Sequence, residues 1–99
     1  MFGILIQYDY SGDEGDWRSA VEQFVGAIDA DPALAGKFEY RVNIAADGVG
    51  RVHVGRWDTE ETLAHLQSQG YFKAFAAKIG EFAGGPPHAT RLQSAAETG

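Results

Sequence analysis

From Phe2 onward the chain alternates. Phe2, Ile4, Ile6, Tyr8 and Tyr10 fall on one side, and Gly3, Leu5, Gln7 and Asp9 fall on the other. A period of two with β-branched and aromatic residues predicts a strand. After the turn "SGDEGD" the period changes. Trp17, Val21, Phe24, Val25 and Ile28 recur at helical spacing, behind Asp13, Glu14 and Asp16, whose charge suits a helix N-terminus. Pro32 and Gly36 close this segment around a short turn at Leu34. Alternation resumes in "FEYRVNI" (38–44) and in "RVHVGRW" (51–57), joined by a turn at Asp47-Gly48. In the second of these, Val52 and Val54 lie on one side, with Arg51, His53, Gly55 and Trp57 on the other.

"DTEE" reads as a capping box, with Asp58 as the cap and Glu61 reaching back. Leu63 and Leu66 give a brief apolar stripe. Gly70 interrupts it, and Phe72, Phe75, Ala76, Ile79 and Phe82 resume it, so two helical pieces meet near 68–70. "GGPP" (84–87) stops the helix, "HATRLQ" (88–93) is a last strand, and 94–99 reads as a loose tail. The order β-α-β-β-α-β in a single domain over 1–93 predicts an α+β, ferredoxin-like antiparallel sheet. Right-handed crossovers put both helices on one face and leave the other bare. One residue set is apolar (Ile4, Ile6, Tyr8, Phe38, Tyr40, Val42 and Val52 to Val54 in some register). The other is mixed (Gly3, Leu5, Gln7, Asp9, Arg41, His53). Hydrophobicity favours the apolar set inside. An apolar set turned outward would need a partner, most simply a second copy about a two-fold axis.

Composition narrows the function. The 99 residues suit one modest core, and 44% hydrophobic content supports folding. Net charge is −6 without any basic cluster, which argues against nucleic acid or an anionic membrane surface as partner. The absence of cysteine removes disulfides, thiolate catalysis and cysteine-ligated metals, and it suits a cytoplasmic address. Ile4 to Ile6 is too short an apolar run for a membrane span. His53, His65 and His88 lack metal-ligand spacing, so no metal is expected.

The plan, the length and the stretch "RWDTEETLAHLQSQGYFKAF" (56–75) resemble the antibiotic-biosynthesis-monooxygenase-like family of dimeric α/β barrels. The matching features are Trp57 at a strand end, Thr59 to Glu61 opening a helix, Leu63, Ala64-His65-Leu66, Ser68, and Phe72-Lys73-Ala74-Phe75. His65 comes one residue early relative to Trp57, and "QGY" adds one afterwards. The resemblance implies a homodimer packed through bare sheet faces, with a cavity between sheet and helices in each subunit. Gln7 matches an asparagine that haem-degrading relatives turn into that cavity. This implies that Gly3, Leu5 and Gln7 face the helices and that the Tyr8 row faces the partner. Leu66 and Ala76 stand where those relatives use tryptophan and histidine, which argues against haem degradation.

The implied activity is a monooxygenase or oxidase reaction, needing no cofactor, on a small aromatic, phenolic or quinol-like compound. His65 is the candidate base, Gln7 and Tyr71 are candidate donors, and Trp57, Phe75 and Arg41 are candidate substrate contacts. Each has a plainer role open to it: Trp57 as a core aromatic, His65 as a surface or capping residue, Gln7 bonded to another side chain, Tyr71 on a rim, and Arg41 paired with Glu39 or Asp9. The alternative function is a dimeric α/β barrel that binds a small molecule, or serves in a stress response, without turnover.

Overall fold

The computed structural model describes residues 1–98. Its elements are β1 (Phe2–Asp9), α1 (Glu14–Asp29), β2 (Phe38–Ile44), β3 (Gly50–Trp57), α2 (Glu60–Ser68), α3 (Gly70–Ala83) and β4 (His88–Gln93). The chain forms one four-stranded sheet, ordered β2-β3-β1-β4 with every neighbouring pair antiparallel. This is the ferredoxin-like α+β plan, with the helical break at Gln69. No helix among the described residues is long and apolar enough to cross a membrane.

Local chemistry sets the boundaries. Asp13 caps α1, its carboxylate accepting from Asp16 N at 2.8 Å. The cap of α2 is Thr59, one residue later than expected: its hydroxyl accepts from Thr62 N, while Asp58 accepts from Thr59 N and Thr62 Oγ1. Asp58 thus holds the cap in place. Gly84, at φ +73°, ends α3 in the left-handed conformation that glycine adopts freely. Beyond β4, Ser94 N donates to Met1 O, and Glu97 accepts from Ser94 Oγ and pairs with Arg56, tying the described tail back to the sheet. Gly99, the end of the expected tail, lies outside the described residues.

Strand register decides which face is inner. Phe2, Ile4, Ile6 and Tyr8 stand opposite Trp57, Gly55, His53 and Arg51. Phe38, Tyr40, Val42 and Ile44 stand opposite the same four residues from the other side. Opposed residues share a face, and Arg51, His53, Gly55 and Trp57 are all buried, so this whole set lies under the helices. Two expectations are overturned. The Tyr8 row faces the helices, and Gly3, Leu5 and Gln7 face away from them. On β3 the polar-looking set is inner and Val52 and Val54 are outer. The apolar rows of β1 and β2 bury far more area inside than the mixed set could. The two β3 polar side chains that come with them find full hydrogen bonding there.

The core joins Trp17, Val21, Phe24 and Ile28 of α1 to Leu34, Phe38, Trp57, Leu66, Phe75 and Ile79. Gly55 matters by lacking a side chain. A Cβ there would stand 3.2 Å from Tyr40 Cδ1 and 3.3 Å from Ile4 Cγ2. The Tyr40 ring lies across this bare patch of strand and so reaches from the edge of the sheet towards its centre.

Candidate functional site

At that centre sits His53, fully buried. Its Nε2 is 2.7 Å from Tyr8 Oη, and its Nδ1 is 2.7 Å from Tyr40 Oη. Trp17 Nε1 donates to Tyr8 Oη at 2.9 Å. The network therefore joins three strands to α1. Burial lowers the His53 pKa to about 4, so the imidazole is neutral at pH 7. Burial also raises the pKa of both phenols, so they keep their hydrogens.

Arg51 closes one end of this network. Its guanidinium lies 4.3 Å over the Trp17 ring, pairs with Glu14, and donates to the carbonyls of Tyr10 and Gly48, while Nε donates to Val49 O. Bonding to Glu14 outweighs the cost of burial and raises the Arg51 pKa. The arrangement pins the start of α1 to the β2–β3 hairpin, and with it the indole that donates to Tyr8.

A second cluster forms where α1, α2 and α3 meet. Asp31 Oδ2 receives Tyr71 Oη and lies within hydrogen-bond reach of His65 Nε2, both at 2.9 Å, and Oδ1 accepts from Ala33 N. The His65 bond leads in holding the Asp31 pKa below the usual carboxylate range. Burial, then Asp31, pushes the Tyr71 pKa up to about 12. Tyr71 is therefore a neutral phenol whose hydrogen is committed to Asp31.

Between α1 and α3 runs a groove of about 450 Å³, a volume suited to a small ligand. Phe24, Phe75, Phe82 and Tyr71 give it aromatic walls, and Gln23 and Lys78 add polar ones. Phe24 and Phe75 stack at 3.9 Å with their rings parallel. Beyond the groove, Phe24 meets Tyr40 at 5.1 Å and Phe75 meets His53 at 5.9 Å, so the stacked pair separates the groove from the buried network. A further groove, of about 500 Å³ between α1 and β2, is lined by Trp17, Val21, Val25, Tyr40, Val42 and Ile44 among others.

The expected site residues part company here. His65, Tyr71 and Phe75 come to one region, with Asp31 joining the first two. Gln7 stands exposed on the sheet face away from the helices, and so does Arg41, because the strand register turns both outward. Neither lines the α1–α3 groove; Arg41 borders only a groove at the sheet edge, with Val25, Ile28 and Asp29 of α1. Trp57 is a core aromatic, 1% exposed and stacked on Phe38 at 5.8 Å. Its indole N–H has no partner among the described residues. Tyr8, Tyr40, His53 and Asp31 were missed as site residues. A signal for His53 existed: the Asp47-Gly48 hairpin sets residues 53, 55 and 57 opposite the apolar row 42, 40 and 38. Among the described residues no cluster of three or more His, Asp or Glu side chains could hold a metal ion.

No family model and no curated protein matches the sequence. Solved structures do match in fold. Rv0793 from Mycobacterium tuberculosis superposes with a TM-score of 0.81 at 17% identity, covering 99% of this chain and 98% of its own. A protein from Nitrosomonas europaea, provisionally described as an antibiotic biosynthesis monooxygenase, gives 0.78 at 11%, covering 99% and 93%. SnoaB from Streptomyces nogalater, described as a cofactor-independent oxygenase, gives 0.77 at 10%, covering 97% and 94%. The fold is the one the sequence resemblance implied. At these identities the fold is what is shared.

Proposed function

We propose that the protein is a cofactor-independent monooxygenase or oxidase of a small aromatic, phenolic or quinol-like compound. The observation that carries this reading is the aromatic α1–α3 groove lying over a buried, uncharged histidine–tyrosine network. Its likeness in fold to SnoaB, described as a cofactor-independent oxygenase, supports it.

An electron-rich phenol supplies its own electrons to dioxygen once its hydroxyl hydrogen is withdrawn. In the balanced case a phenol and O2 give a quinone and water: one oxygen atom stays on the ring carbon that lost hydrogen, and the other leaves as water. The protein must bind a flat ring, orient its hydroxyl, limit water and donate to oxygen where negative charge develops. Phe24, Phe75 and Phe82 suit the ring. Tyr71, having given its hydrogen to Asp31, presents an acceptor oxygen to the substrate hydroxyl. Asp31 joins it to His65, whose side chain is 35% exposed, and this provides a route for a proton to solvent. With no cysteine in the chain, the reading places the protein in the cytoplasm.

The protein acts in this reading as a homodimer through the bare sheet face, where Leu5, Val52, Val54 and Leu92 lie among Gln7, Arg41 and Arg56. Metal- and flavin-free protein should consume oxygen with members of a phenol and quinol panel. Absence of uptake across the panel would overturn the reading. The tight Phe24–Phe75 stack favours one alternative, a carrier that binds such compounds without turnover. Thermal stabilisation by the panel with neither oxygen uptake nor product would select it.

A further inference from the structure

His53 turns both ring nitrogens to phenols, Nε2 to Tyr8 Oη and Nδ1 to Tyr40 Oη, each at 2.7 Å. A neutral imidazole has one N–H and one acceptor nitrogen. In either tautomer, one of the two phenols therefore donates to the imidazole and the other accepts from it. Whichever tautomer is present, a tyrosine hydrogen is held against a base, and that base is fully buried. Such a pair can give up an electron without releasing a proton to water. A phenol that loses an electron becomes a far stronger acid than imidazolium, so its hydrogen crosses to the nitrogen it already faces. The phenoxyl radical left behind is neutral. Burial disfavours the charged imidazole, so the proton returns once the electron is replaced.

The other oxidisable rings lack this provision. Trp17 gives its N–H to Tyr8 Oη, which is not a base, and the Arg51 guanidinium 4.3 Å over its ring opposes positive charge there. Trp57 has no partner for its N–H among the described residues and carries the Arg91 guanidinium at 5.1 Å. Tyr10 donates to a backbone carbonyl, that of Asp13. Tyr71 does face a base, but the Asp31 carboxylate is already shared with His65 and Ala33 N, which hold its proton affinity low.

Phe24 and Phe75 line the α1–α3 groove, and on their other side Phe24 meets Tyr40 at 5.1 Å while Phe75 meets Tyr40 at 6.0 Å and His53 at 5.9 Å. The stack stops ligands and protons, but an electron crosses one layer of packed rings by tunnelling. We propose that the Tyr8–His53–Tyr40 network is a one-electron reservoir for the groove: it reduces a radical formed there and holds the hole as a neutral tyrosyl radical beside a protonated His53. The oxidant is an organic peroxyl radical, ROO•, formed when an aromatic ring radical takes up O2. That choice rests on the proposed reaction; the radical site does not. The phenol's electron reduces ROO• to the peroxide anion, which takes a proton from solvent, while the phenol's own proton stays on His53. Phenol, imidazole, ROO• and one proton thus give phenoxyl, imidazolium and ROOH.

The test uses wild-type protein labelled with 15N-histidine. Flash photolysis with ruthenium tris-bipyridine and persulfate withdraws an electron, and pulsed EPR reads the radical in frozen samples. The expected product is a tyrosyl radical coupled to a histidine nitrogen, because among the described residues only Tyr8 and Tyr40 hydrogen-bond a histidine. His53→Gln can still hydrogen-bond but cannot take the proton, and it should lose this signal. A tyrosyl radical without nitrogen coupling, a tryptophan radical, no protein radical, or an unchanged radical in His53→Gln overturns the proposal. Should the variant fail to fold, the nitrogen coupling in wild type decides by itself. Oxygen uptake without the coupled radical overturns the reservoir alone, and the coupled radical without oxygen uptake overturns the oxygenase reading alone.

Discussion

The low proton affinity of His53 has a measurable cost in acid. Unfolded, the imidazole titrates near 6.5; folded, burial holds its pKa at about 4. Between these values the unfolded chain takes up a proton that the folded chain refuses, so stability is complete above pH 6.5 and falls as pH drops towards 4. The slope is about 1.4 kcal/mol per pH unit, and the loss reaches about 2 kcal/mol by pH 5 and about 3 kcal/mol by pH 4. For a chain of this length, a 2 kcal/mol loss lowers Tm by roughly 10 °C. The carboxylates held low, Glu14, Asp31, Asp47, Asp58 and Glu97, contribute their own losses mainly below pH 5, nearer their unfolded values. Every other titratable group is common to wild type and variant, so the comparison isolates position 53. The assay is urea unfolding from pH 7 to pH 5 for wild type and His53→Gln. The wild type should lose about 2 kcal/mol more than the variant over this range. Ring-carbon NMR of wild-type His53 should show no titration above pH 5. Equal pH slopes in the two proteins, or a ring titrating near 6.5, would refute the claim that this imidazole is neutral and sealed.

Arg51→Met should cost about 2 kcal/mol in denaturant unfolding, because the carbonyls of Tyr10, Gly48 and Val49 lose their donor. Glu14→Gln should cost clearly less than Arg51→Met, since the Glu14 side chain is half exposed and the carbonyl cage stays in place; equal losses would mean that the ion pair, and not the carbonyl cage, holds Arg51. Asp31→Asn should lower the Tyr71 titration from about 12 without bringing it to 10, because burial, the larger cause, remains; an unchanged Tyr71 titration by 13C-tyrosine NMR would sink the clasp. Sedimentation at micromolar concentration should find twice the 10.7 kDa chain mass, and Val54→Lys should halve it; a wild-type monomer would remove the dimer from the proposal.

The elements were legible because each rests on a local signal: alternation in the strands, helical spacing from Trp17 to Ile28, and glycine at the break and at the stop. The α2 cap was misplaced by one residue because Asp58 and Thr59 are both good caps, and the choice is made by Thr62, to which both bond. The inner face of β3 was harder. A histidine and an arginine beside two valines read as the wet side, and locally that is sound. What reverses it lies mostly outside the strand: Tyr8 and Tyr40 supply both partners of His53, and Glu14 with the carbonyls of Tyr10, Gly48 and Val49 supplies those of Arg51. Gln7 failed as a site residue for the same reason, since its face follows from register and not from its own chemistry. His65 and Tyr71 were found, but Asp31, which joins them, sits after α1 in a stretch that reads only as a turn.

Gly55 carries the last consequence. An edge-strand tyrosine can work in the middle of the sheet only because the floor beneath its ring is bare backbone. The meeting of the Tyr40 hydroxyl with His53 therefore rests with a position that has no functional group of its own. A methyl there would stand 3.2 Å from the Tyr40 ring and 3.3 Å from Ile4 Cγ2, so one of those neighbours must give way by a few tenths of an ångström. Chains with this architecture could strengthen or weaken that tyrosine–histidine contact by one substitution, and an inventory limited to side chains with functional groups would overlook the difference.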